Sequence, residues 1–113
     1  MFDETIAAIS TAPGEAGIGI VRISGPKALD ILDALFKPKR RDSIREYAPR
    51  KMVYGHVSDG DERIDEVLAV YMKGPGTYTA EDVAEIDCHG GVVPSRKILE
   101  MALRSGARLA ERG

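Results

Sequence analysis

Two residues carry most of the chemistry legible in the chain. The first is Arg22, within Ile18–Ser24 (IGIVRIS). In an extended segment Ile18, Ile20 and Arg22 share one face. An arginine on an otherwise apolar strand face has two uses. It can sit at an exposed strand end, its stem packed and its head in water. Otherwise it must meet an anion, because a buried unpaired guanidinium is strongly destabilising. Its planar fork suits a carboxylate, from a protein loop or from a ligand. The second residue is Glu81, in Tyr78-Thr79-Ala80-Glu81-Asp82. A carboxylate there can accept two hydrogen bonds from the N–H pair of an amino-heterocycle, with Tyr78 covering an aromatic ring. The same paired acids also suit the capping of a helix-like turn.

Other motifs point less far. Gly14, Gly17 and Gly19 follow a strand-like segment, but their G-x-x-G-x-G spacing is not the dinucleotide fingerprint, and a strand follows where a helix is needed. No G-x-x-x-x-G-K-[ST] occurs, so the chain contains no P-loop. Cys88 and His89 are adjacent in a strand-like run and therefore face opposite ways, which disfavours a nucleophile–base pair. Cys88 shares its face with Ala84 and Ile86 and reads as core. His89 either lines a site or ends a strand before Gly90-Gly91. His56, His89 and Asp87 are too few and too scattered for a metal site. Lys37–Lys51 (KPKRRDSIREYAPRK) holds seven basic residues against two acids, a local charge of +5. It reads as a solvated, exposed connection. Its one aromatic, Tyr47, falls short of the interleaving of a single-strand binder; the alternative use is an RNA backbone contact presented by a larger assembly.

The elements that must position these groups follow from pattern. Thr5–Ser10 reads as a strand, Thr11–Gly17 as a turn-rich loop and Ile18–Ser24 as a second strand. Ser24-Gly25-Pro26 opens a helix whose apolar face holds Ala28, Leu32 and Leu35. After the basic connection, Lys51–Ser58 reads as a strand, Asp59-Gly60-Asp61 as a hairpin turn and Ile64–Lys73 as a strand. Its apolar centre, Val67–Met72, predicts cover on both faces. Gly74–Asp82 is a second loop. Val83–His89 is a strand with Glu85, Asp87 and His89 opposite the apolar set. Val92–Ser105 is a helix with Gly106 as its stop, and Ala107–Ala110 is a last short strand. The order ββα-βββ-αβ predicts an α+β fold, a mixed β-sheet with packed helices.

Bulk properties agree with an ordinary domain. The 113 residues suit one folding unit, with 43% apolar and 30% charged residues and a net charge of -2. That charge argues against wholesale nucleic-acid binding. Cys88 is the single cysteine, so no internal disulfide forms and a reducing compartment is expected. Met1–Thr5 does not read as a signal peptide, and no run reaches the roughly 20 apolar residues of a membrane span.

Several segments together resemble one family. They are Thr5-Ile6-Ala7-Ala8 with Thr11-Ala12-Pro13-Gly14, and Gly17-Ile18-Gly19-Ile20-Val21-Arg22-Ile23-Ser24-Gly25-Pro26. Further along come Tyr78-Thr79-Ala80-Glu81-Asp82-Val83, Cys88-His89-Gly90-Gly91 and Ser105-Gly106-Ala107-Arg108-Leu109-Ala110. These are similar to the N-terminus of the MnmE (TrmE) family of tRNA modification GTPases, over nearly the whole chain apart from the basic connection.

The resemblance implies a cytoplasmic protein of three parts, of which residues 1–113 are the folate-binding and dimerisation domain. The helical domain and the G domain, with its GTP, magnesium and potassium sites, would lie outside this chain. The domain would resemble the tetrahydrofolate-binding fold of aminomethyltransferases. It would bind 5-formyl- or methylene-tetrahydrofolate as one-carbon donor and form a homodimer. With the FAD-dependent partner GidA (MnmG), the complex would modify C5 of the wobble uridine in tRNA. Arg22 and Glu81 fall on the family's folate-binding arginine and glutamate. Ala80 stands where the family usually has glycine. The family's third folate contact, a lysine, belongs to a stretch that begins about where this chain stops, so the chain reads as an N-terminal piece without catalytic residues of its own. The alternative is a dimerisation or docking module without its own ligand.

Overall fold

The computed structural model describes residues 4–10, 18–77, 80–89 and 92–110. The expected loop at Thr11–Gly17, the side chain of Tyr78 and the Gly90-Gly91 turn lie outside the described residues. The elements are β1 (Ile6–Ile9), β2 (Ile18–Ser24), α1 (Ala28–Leu35), β3 (Phe36–Pro38), β4 (Val53–Asp59), β5 (Glu62–Met72), β6 (Val83–His89), α2 (Val92–Arg104) and β7 (Arg108–Leu109). The seven strands form one sheet in the order β3-β4-β5-β6-β2-β1-β7. Six neighbours are involved, and every pairing is antiparallel except β1 with β7, which makes the sheet mixed. The architecture is therefore α+β, as expected.

Strand alternation decides the two faces. Val21 and Ile23 of β2, Ala84, Ile86 and Cys88 of β6, Val67 and Ala69 of β5 and Val53 and Val57 of β4 turn inward. They meet Ala28, Ile31, Leu32 and Leu35 of α1 and Ile98, Met101 and Ala102 of α2 in one core. Both helices show the expected 3.6-residue stripe. The entry of α1 is fixed from outside the helix: the Lys27 backbone N–H donates to Thr5 Oγ1 at 2.9 Å, which satisfies one of the donors a helix start leaves open.

Three expectations are corrected. The segment after α1 is not wholly an exposed connection. Phe36–Pro38 pairs with β4 as an edge strand, and Ile44 is buried in a short 3₁₀ turn, Ile44–Glu46, closed by a Ser43/Glu46 capping box. The apolar run of β5 is not covered on both faces: Leu68 remains 42% exposed, because the two helices pack against the opposite face. The hairpin strand begins at Glu62 rather than Ile64, with an irregularity in register between Val57 and Ser58. No helix among the described residues is long and apolar enough to cross a membrane.

Candidate functional site

The face of the sheet away from the helices carries the polar side chains. Register places Arg22 opposite Glu85 on one side and Ala8 on the other. It places Ile20 and Leu68 on either side of Asp87. Glu85 and Asp87 are two apart on β6 and share this face.

Arg22 uses the anion-pairing option. Its Nη2 donates to Glu85 Oε1 at 2.8 Å, with the two side chains 37% and 17% exposed. The partner is a carboxylate of the neighbouring strand, not of a loop. One hydrogen bond uses one of the five donors a guanidinium offers. Burial pushes the Glu85 carboxyl up, but hydrogen bonds from Arg22 and Asp87, with the Arg22 charge, outweigh it and hold the group below its ordinary value. Asp87 goes the other way. Burial, then its hydrogen bond with Glu85 and the charge of Glu85, raise it to about 6. Asp87 Oδ1 is buried with no hydrogen-bond partner. One positive and two acidic side chains therefore stand in a row, and the acid farther from Arg22 holds its proton more tightly.

Glu81 is positioned by a tight loop. Its Oε2 accepts from Ser24 Oγ at 3.2 Å, and its backbone carbonyl accepts from Thr77 Oγ1 at 2.5 Å. Ser24 is two residues beyond Arg22 on the same face of β2. The structure thus brings Glu81 to the strand that carries Arg22. The adjacent acid does different work. Asp82 Oδ1 accepts from Gly74 N at 2.9 Å, and its carboxylate also hydrogen-bonds Tyr71. Its backbone carbonyl accepts from Gly25 N at 2.9 Å. Asp82 therefore ties the two ends of the loop to the sheet, which leaves Glu81 to present a carboxylate.

Backbone geometry makes this loop demanding. Ala80 has a φ of 64°, a left-handed conformation that glycine adopts without a Cβ penalty. Gly74 packs so closely that an added Cβ would lie 2.8 Å from the Ala80 carbonyl oxygen. The peptide bond between Gly74 and Pro75 is cis.

Next to the charged row lies a concavity of about 340 Å³ lined by Ile18, Tyr54, Leu68, Asp87 and His89, among others. Neither Arg22 nor Glu81 lines it. Asp87 joins the two regions. His89 sits at the rim, its Nδ1 2.6 Å from Asp65 Oδ1 and its backbone N–H on Asp65 Oδ2 at 2.8 Å. Cys88 is core, as expected: burial raises its thiol to about 11, and Sγ lies 3.3 Å from the Gly19 carbonyl. No group of three or more metal-ligating side chains occurs among the described residues.

Sequence reasoning missed Glu85, Asp87 and Asp65 as site residues. The signal for the first two was present in the Glu85-Asp87-His89 alternation, but nothing local announces that β2 pairs with β6. Chemically, the face offers a carboxylate at Glu81, guanidinium donors at Arg22 and apolar surface at Ile20 and Leu68. Those groups suit a flat heterocycle bearing N–H donors and an acidic tail. They fit a folate. The sequence contains no G-x-x-x-x-G-K-[ST] motif.

Comparison with known proteins is consistent over the whole chain. The family described as GTP-binding protein TrmE N-terminus matches residues 5–113. The tRNA modification GTPase MnmE of Alkaliphilus metalliredigens is 60% identical over 114 residues, covering 99% of this chain and 25% of that protein. That of Clostridioides difficile is 57% identical over 112 residues, covering 99% and 24%. That of Thermoanaerobacter pseudethanolicus is 55% identical over 115 residues, covering 100% and 25%. The chain spans about a quarter of the length of these curated relatives. With this match and this sheet, the chain belongs to the TrmE N-terminal family.

Proposed function

We propose that this chain is the folate-binding and dimerisation domain of a cytoplasmic tRNA modification GTPase. In this reading it holds 5-formyl- or methylene-tetrahydrofolate as the one-carbon donor for a wobble uridine. GTP, magnesium and potassium belong to a G domain elsewhere in the protein, and an FAD-dependent protein of the GidA (MnmG) kind completes the reaction. The aminomethyltransferase-like fold is part of the same proposal.

The observation that carries the reading is the Ser24–Glu81 hydrogen bond, which puts the loop carboxylate beside the strand face of Arg22. Glu81 reads the pterin N–H groups through the oxygen not held by Ser24. Arg22 meets a polar or charged part of the ligand with the donors not given to Glu85. Neither does covalent chemistry; the one-carbon unit rides on the cofactor. Titration of 5-formyl-tetrahydrofolate into the chain tests this. Arg22→Ala and Glu81→Ala are each expected to weaken binding at least about tenfold, the scale of a lost charge-assisted hydrogen bond. Equal affinity of all three proteins refutes the assignment.

A second reading rests on Ile18, Tyr54 and Leu68, large apolar side chains exposed on the open face. They suit a module that pairs or docks without a ligand of its own. A dimer in sedimentation velocity that ignores folate favours this reading over the first.

A further inference from the structure

Two lysines of the basic run, Lys37 and Lys39, stand at one edge of the sheet. β3 is the edge strand, and Lys37 and Lys39 leave it on the solvent side. With Arg63 and His56 they line a groove of about 400 Å³, whose remaining walls include Tyr54, Gly55 and Glu66. Glu66 is the one carboxylate there. It is already engaged, accepting from Tyr54 Oη at 2.5 Å and lying 3.7 Å from Arg63. Lys39 Nζ stands 5.6 Å from the centre of the Tyr54 ring, and its backbone N–H is fixed on the Tyr54 carbonyl at 3.0 Å. Arg41 stands 5.6 Å from the Tyr47 ring. Lys39, Arg40 and Arg41 have no ion-pair partner among the described residues. Arg45, by contrast, is committed to Asp30 and Asp33.

The fold thus supplies what the sequence run lacked. Tyr54 comes from another strand, and Lys39 stands over its ring beside the groove. Cationic edge strands also deter edge-to-edge pairing of sheets, but that purpose requires neither the groove nor the tyrosines. Fixed cations over rings, beside a groove wide enough for a phosphate, are the chemistry that holds a nucleic-acid backbone and stacks an exposed base. Gly55 keeps β3 and its lysines close to the sheet, because a Cβ there would lie 2.2 Å from the Lys37 carbonyl.

We infer that the β3 edge, through Lys37, Lys39 and Arg63 with Tyr54, is a contact surface for the phosphate backbone of RNA. The inference that this RNA is a tRNA rests on the function proposed above.

The test is fluorescence anisotropy of a labelled tRNA transcript with a wobble uridine, titrated with this chain between 50 and 200 mM salt. Lys37→Gln/Lys39→Gln is compared with Arg96→Gln/Arg104→Gln, which removes the same charge from α2. The groove pair is expected to weaken binding at least about tenfold at 100 mM salt and to flatten the log K against log salt slope by about 2, one per phosphate contact. The α2 pair is expected to stay within about threefold. Equal loss in both pairs means attraction by net charge alone and overturns the inference, as does absence of tRNA binding at 50 mM salt. The same proteins are titrated with 5-formyl-tetrahydrofolate. Binding of tRNA without folate sinks the folate reading and leaves the groove standing; binding of folate without tRNA does the reverse.

Discussion

The two faces of the sheet are built from the same strands and differ in almost everything else. The helix-covered face is aliphatic, with Val21, Ile23, Ala84 and Ile86 fully buried. The open face mixes Ile18, Leu68 and Tyr54 with Arg22, Glu85 and Asp87. On the first, stability comes from packing density. On the second, Ile18, Leu68 and Tyr54 stay exposed, and Arg22 pairs with Glu85 while Asp87 is left against a like charge. A strand that alternates so sharply is half scaffold and half site: Ile86 of β6 holds the fold while Glu85 and Asp87 on either side of it hold charge. The Ser24–Glu81 hydrogen bond ties the Glu81 loop to the strand that carries Arg22.

The sharpest way to break this contrast is a pair of truncations. Ile86→Ala is expected to cost about 2–5 kcal/mol by denaturant unfolding, and Leu68→Ala under about 1 kcal/mol, because a buried methylene leaves a cavity and an exposed one does not. A comparable loss at both positions would mean that the open face is covered in solution. The unfolding midpoint should then rise with protein concentration, as it does when a partner binds the native state.

The charged row gives a smaller and pH-dependent effect. Asp87 binds its proton more tightly folded, at about 6, than unfolded, near 3.8. An acid raised in this way contributes most when protonated, so its contribution falls as pH rises from about 4 through 6. Asp87→Asn keeps a donor toward Glu85 and removes the buried charge. It is expected to stabilise the chain by about 1 kcal/mol at pH 7.5 and by much less at pH 5. Glu85 works in the opposite sense. Its lowered value means a contribution present above about 4.5 and lost on further acidification. A flat difference between Asp87→Asn and wild type from pH 5 to 7.5, measured by thermal unfolding, would show that Asp87 is solvated like a surface acid.

The smallest effect lies in the loop. Ala80→Gly relieves a left-handed alanine, with φ 64°, at the cost of a looser unfolded chain. A net gain of about 0.5 kcal/mol is expected. If the loop is also the ligand clamp, folate affinity should change by less than threefold, since Thr77 still holds the Glu81 carbonyl and Asp82 still ties the loop to Gly74 and Gly25.

The pattern of what was legible in the sequence follows from range. β2, β6 and both helices were legible because their signals are local: β-branched alternation, a helical stripe, Pro94 in the first turn of α2; α1 begins at Ala28, two residues past Pro26. Cys88 was legible as core from its neighbours in alternation. β3 was not, since Phe36-Lys37-Pro38 is too short for a period, carries a proline and runs straight out of a helix. The partner of Arg22 was not, because Glu85 lies 63 residues away and only strand order joins them. Nor was the open face, since Val67–Met72 is equally apolar on both parities, and among the described residues both helices pack on the face opposite Leu68. The role of Tyr54 beneath Lys39 was hidden for the same reason, a contact across a strand pair rather than within a run.

The pairing of β1 with β7 has a consequence for how the chain could be rearranged. Arg108 N–H donates to the Thr5 carbonyl at 2.8 Å and Ala110 N–H to the Ala7 carbonyl at 2.9 Å, while Arg108 pairs with Glu4. Residues 4–7 and 108–110 are therefore neighbours in the sheet. The Gly60 turn lies in the hairpin between β4 and β5, with open space around the Gly60 Cβ position. A permuted chain, sealed between 110 and 4 and opened at that turn, would retain the hydrogen-bonded pairings of β1 with β2, β2 with β6 and β5 with β6. The order of translation is thus separable from the order of the sheet, and the Arg22 row does not depend on which strand is made first.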